Sequence, residues 1–130
     1  MIILDTHVMI FDALAPSSLS SQAKAAIEES FTADRLACAD ISLWEVAMLI
    51  ARRRIDPATD ACEFIDDMIA ARRIHVLPIT SEIAVLSVSD LFVHADPADR
   101  LIAATAHRYG AALVTSDAKL RALQHISTIW

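Results

Sequence analysis

HADPADRLIAATA, residues 94–106, reads as the start of a buried helix with an acid at its mouth. Asp96 suits the N-cap, and Pro97 the first helical position, where its missing N–H costs nothing. Beyond Arg100, residues Leu101, Ile102, Ala103, Ala104 and Ala106 are apolar on almost every side, so the helix must pack against something. Gly110 supplies a left-handed stop. Asp99 falls in the first turn, where an acid ordinarily complements the helix dipole. The rest of the chain gives that carboxylate a second reading.

What the helix packs against is legible on either side of it. Met1 to Leu4 and Leu36 to Ala39 are short continuous apolar runs of the kind found in covered parallel strands. His75 to Ile79, bent by Pro78, Ala111 to Thr115 and Ile126 to Trp130 extend the set. Helices are expected between them, over about Val8–Leu14, Ser21–Phe31, from Asp40 to the Arg52–Arg53–Arg54 cluster, from an Asp56–Pro57 cap to Arg72, from Thr80 or Ser81 to Leu91, and over Ala118–Gln124. Strands alternating with helices predict an α/β fold with a mainly parallel sheet of four to five strands and helices on both faces.

Composition narrows the function. A chain of 130 residues is read as one domain, large enough for a self-sufficient core. No apolar run approaches a membrane span, and MIILDTHVMIF lacks the basic start of a signal peptide. Cys38 and Cys62, far apart and outside any C-x-x-C, read as reduced thiols, which points to the cytoplasm. With a single glycine, no dinucleotide fingerprint, Walker A loop or nucleophile elbow can be written. A net charge of −6 is the opposite of a nucleic-acid binder's usual footprint, so a nucleic-acid function must bring cations from outside.

Four acids stand out. Asp5 and Asp117 follow the first and fourth strands, and Glu45 and Asp99 lie in the first turns of two apolar helices. Ser42 with Glu45 also matches a capping box, and Asp5 also suits a plain helix cap. His7, beside Asp5, reads as structural. In a doubly wound sheet all four acids can face the same carboxyl edge. Four carboxylates in one cleft require a bound cation, shared protons, or separation. All-oxygen ligands point to Mg²⁺ or Mn²⁺ rather than zinc.

The motifs ILDTH (3–7), SLWEVA (42–47), DPADRLIAATA (96–106) and LVTSD (113–117), in this order and spacing, resemble the PIN-domain family, in particular the VapC-type toxins of bacterial toxin–antitoxin pairs. The resemblance implies a three-layer α/β/α fold and metal-dependent endoribonuclease activity. It implies Asp5, Glu45 and Asp99 as core acids, Asp117 as the fourth, and Thr6 and Ser116 as supporting hydroxyls. An RNA substrate, a cognate antitoxin and a homodimer are expected with it, and no membrane partner. Arg100, Lys119 and Arg121 are candidates to steer the RNA. The competing readings are a PIN-fold DNA nuclease, which this chain lacks a basic extension to serve, and a non-catalytic acidic-pocket scaffold. A phospho-receiver domain fits poorly, because Asp5 is followed by Thr6 and His7 rather than by a second acid.

Overall fold

The computed structural model describes residues 1–93 and 96–130. His94 and Ala95, the first two residues of the quoted stretch, lie outside the described residues. Five strands form one sheet: β1 (Ile2–Leu4), β2 (Leu36–Ala39), β3 (His75–Leu77), β4 (Ala112–Val114) and β5 (Thr128–Ile129). Their order is β3-β2-β1-β4-β5, with every pair parallel. The chain thus winds outward one way from β1 to β3, then returns to β1's other side with β4. The crevice between β1 and β4 is the switch point at which such sheets place ligands.

Alternation along the strands divides the core in two. Leu4, Leu36, Cys38 and Val114 face one side with Val8, Met9, Ile27, Val46, Phe64 and Met68. Ile3, Ala37, Ala39 and Leu113 face the other with Ile83, Ile102, Ala103 and Leu120. The first cluster is covered by α1 (Thr6–Leu14), α2 (Ser21–Thr32), α3 (Ile41–Ala51) and α4 (Ala61–Arg72), the second by α5 (Ser81–Ser87), α6 (Pro97–Tyr109) and α7 (Ala118–Arg121). An ion pair of Arg72 with Asp12 at 2.8 Å ties α4 to α1. Cys38 is buried and Cys62 exposed, both as free thiols. Among the described residues no helix is long and apolar enough to cross a membrane.

The α6 expectation holds in detail. Asp96 accepts a hydrogen bond from the Ala98 N–H at 2.9 Å, Pro97 occupies the first turn, and Gly110 closes the helix at φ 59°. Three local expectations are corrected. Asp56–Pro57 does not start a helix: Asp56 accepts from the Ala58 N–H at 2.9 Å and Ala58 turns left-handed at φ 57°, so α4 is capped instead by Asp60. Ser42 and Glu45 form no capping box, because α3 begins after Asp40 and both side chains lie inside it, buried. The helix read to Leu91 stops at Ser87, where Ser87 and Ser89 donate back to the carbonyls of Ala84 and Leu86, each at 2.7 Å.

Candidate metal-dependent active site

Asp5 leaves β1 at the switch point and is buried, with 4% of its surface exposed. Its backbone N–H donates to Val114 on β4 at 3.0 Å, which fixes it beside the end of that strand. Since Leu4 pairs with Val114, the last residue of β4, Thr115 just beyond the strand falls opposite Asp5. Thr115 donates its hydroxyl hydrogen to Asp5 Oδ2 at 2.8 Å and accepts from the Asp117 N–H at 3.1 Å. Thr6, one residue on, is fully buried and stands 2.5 Å from Glu45 Oε1 and 2.9 Å from Ser42 Oγ. One hydroxyl carries one hydrogen, so donation to the carboxylate leaves Ser42 to donate to Thr6. These contacts bind the start of α1 to α3.

A cavity of about 340 Å³ opens above these groups, lined by Asp5, Glu45, Asp96, Asp99 and Asp117 together with Ser116. His7, read from the sequence as structural, is exposed and lines the same cavity beside Phe11. One carboxylate oxygen each of Glu45, Asp96 and Asp99 lies within 4.8 Å of the others. All four acids singled out in the sequence therefore meet in one place. Asp117 also caps α7, accepting from the N–H groups of Lys119 and Leu120 at 2.8 and 3.0 Å.

Crowding raises the acids' affinity for protons. Burial pushes Asp5 up, and the Thr115 hydrogen bond only partly offsets it. Glu45 is raised by burial and then by Asp5 and Asp96, against the Thr6 hydrogen bond. Asp99 is pushed up to about 7, chiefly by burial and then by Asp5, Asp96, Glu45 and Asp117. A divalent cation is the counterpart such a set calls for: the donors are oxygens, three converge within reach of one ion, and their mutual repulsion favours a cation among them.

The structure adds residues that sequence reasoning passed over. Thr115, not Ser116, holds Asp5; Ser116 is exposed on the cavity wall. The signal was the pairing parity of β1 and β4, which sequence alone does not give. Asp96, read as a cap, is a cap and also a wall of the acidic cavity. Of the basic candidates, Lys119 and Arg121 are exposed on α7 and Arg100 is half-buried on α6.

The model of the PIN domain matches residues 2–126. The chain belongs to the PIN-domain family. Among its PIN relatives, Ribonuclease VapC22 of Mycobacterium tuberculosis (strain ATCC 25618 / H37Rv) is 37% identical over 132 residues, spanning 99% of this chain and 98% of that one. The same PIN fold recurs in the VapBC2 crystal structure from Rickettsia felis bound to a promoter DNA fragment, with a TM-score of 0.74 at 16% identity, covering 98% of this chain and 97% of that one. A toxin–antitoxin complex from Klebsiella pneumoniae matches with a TM-score of 0.64 at 20% identity and the same coverage of both chains.

Proposed function

We propose that this PIN domain, spanning the chain, is a cytoplasmic Mg²⁺-dependent endoribonuclease, with Mn²⁺ as a substitute, and the toxin of a toxin–antitoxin pair. The observation that carries the chemistry is the convergence of Asp5, Glu45, Asp96, Asp99 and Asp117 on one cavity at the β1/β4 switch point. The likeness to Ribonuclease VapC22 over nearly the full chain supports RNA as the substrate. The toxin–antitoxin complex of the same fold supports an antitoxin partner. Val85, Val88 and Val93, exposed by 70%, 75% and 85%, support a homodimer built on the α5 side.

In this reading Asp5 and Asp99 would hold the principal ion, and Asp117 would support a second ion or its waters. An ion held there supplies Lewis-acid charge to the phosphate and a water of lowered pKa. Glu45, fixed by Thr6, orients the attacking water and takes its proton. Thr115 keeps Asp5 aimed into the cavity and favours its ionised form. Thr6 and Ser116 are the hydroxyls beside the acids, with Thr6 acting through Glu45. Arg100 on α6 and Lys119 and Arg121 on α7 are the proposed steering groups.

The test is cleavage of total cellular RNA by the purified protein with Mg²⁺ or Mn²⁺, reading new 5′ ends, beside an EDTA control. Discrete cuts that vanish in EDTA are expected. Cuts in DNA and not RNA would favour the DNA-nuclease reading, and divalent-ion binding without cuts in either would favour the scaffold.

A further inference from the structure

A second depression opens directly off the acidic cavity and shares Glu45 and Asp96 with it. It has a volume of about 700 Å³ and runs along α3. Trp44, Met48, Pro97 and Leu101 give it apolar walls, and Arg52 stands at its far end. Positions 45, 48 and 52 recur on one helix face, and the seven steps from Glu45 to Arg52 span about 10 Å along the axis. Trp44 adjoins the acid yet is 57% exposed, although α3 is otherwise among the more apolar helices. Arg52 begins a run of three exposed arginines, and none of the three takes part in an ion pair among the described residues. In a chain of net charge −6 this is a cationic run without an acidic partner among the described residues.

We propose that this groove seats the RNA strand that flanks the cut phosphate, with the neighbouring base stacked on Trp44 and a backbone phosphate beyond it held by Arg52. The inference rests on the ribonuclease reading and adds to it where the strand lies. A strand whose phosphate sits among the acids has its next nucleotide at the groove mouth, because the two depressions share Glu45 and Asp96. The indole face suits any base, and charge complementarity places the anionic backbone toward Arg52 rather than over the acids. The strand must be single, since a duplex keeps its bases stacked on one another. Arg52–Arg54, the cluster that follows α3, thereby add to the steering role proposed for Arg100, Lys119 and Arg121.

The chain has two tryptophans, so Trp130→Phe leaves Trp44 as the sole reporter, and Asp99→Asn prevents cleavage. Titrating that double variant with random-sequence single-stranded RNA octamers should quench Trp44 emission saturably, and the same sequences as duplexes should not. Adding Trp44→Ala should weaken octamer binding, read by anisotropy of labelled RNA, by about 5- to 100-fold. Trp44→Phe should restore most of it. Arg52→Gln should flatten the dependence of log K on log salt by about 0.7. In the active protein, Trp44→Ala should raise KM far more than it lowers kcat. An unquenched Trp44 together with unchanged KM in Trp44→Ala overturns the proposal while RNA cleavage by the parent protein stands, and the groove then belongs to a protein partner or a second copy. A parent protein that neither binds nor cuts RNA overturns the ribonuclease reading and this inference with it.

Discussion

Thr115 and Asp5, 110 residues apart in sequence, are joined by a 2.8 Å hydrogen bond across the seam between β4 and β1. It is the contact through which the fold's long return connection acts on its first acid. Asp5 is buried, so a lost donor leaves its Oδ2 short of a hydrogen bond. Thr115→Val should cost about 1–3 kcal/mol in urea unfolding at neutral pH. It should also move the acid limb of the cleavage pH profile upward, because the bond lowers the Asp5 pKa against burial. Thr115→Ser should behave like the parent. A Thr115→Val protein with an unmoved pH profile would show that the bond is structural only.

Neutralising the principal carboxylates should separate catalysis from folding. Asp5→Asn and Asp99→Asn are expected to keep the parent's circular dichroism and to lose cleavage by about 100-fold or more, as the removal of an electrostatic partner of the transition state does. Relief of repulsion among Asp5, Asp96, Glu45 and Asp117 should leave Asp99→Asn at least as stable as the parent without metal. Cleavage at the parent's rate by either variant would rule out the proposed roles.

The pH dependence of stability follows from the same crowding. Asp99 titrates near 3.8 when unperturbed and is pushed up to about 7 in the folded protein. The native state therefore binds this proton more tightly than the unfolded chain does. Its contribution is fully present below pH 3.8 and is lost as pH rises through about 7. EDTA-treated protein should accordingly lose stability from roughly pH 4 to 7 in urea titrations, Mg²⁺ should reverse the loss, and Asp99→Asn should flatten it. An EDTA-treated protein that gains stability across this window would contradict the raised pKa.

The α6 start was legible because every local signal there agrees: Asp96 caps, Pro97 follows, the apolar run is packed, and Gly110 takes the left-handed turn. The parallel order was legible as a class from strands alternating with helices. Two adjacent signals misled. Asp56–Pro57 looks like Asp96–Pro97, and each Asp accepts from the N–H two residues on, but Ala58 then turns left-handed at φ 57° where Ala98 continues the helix, and nothing in the two dipeptides distinguishes them. Ser42 and Glu45 have capping-box spacing, yet Thr6 from α1 takes both side chains inward, a contact 36 and 39 residues away in sequence. Thr115 and the Trp44 groove were likewise hidden, because each depends on which residues of separate elements meet.

Asp96 offers the finest test of the site, since it serves two ends at once. One oxygen caps α6 through the Ala98 N–H, and the carboxylate also contributes an oxygen to the cluster with Glu45 and Asp99. Asparagine caps a helix about as well as aspartate but carries no charge. Asp96→Asn should therefore keep the parent's unfolding midpoint in EDTA while weakening Mn²⁺ binding in calorimetry by about 10-fold or more, the scale on which groups around a bound metal act. Asp96→Ala should show the same loss of affinity and an added cost of about 1 kcal/mol from the missing cap. If Asp96→Asn binds Mn²⁺ as tightly as the parent, Asp96 is a cap alone, and the ion is held by Asp5, Glu45, Asp99 and Asp117 without it.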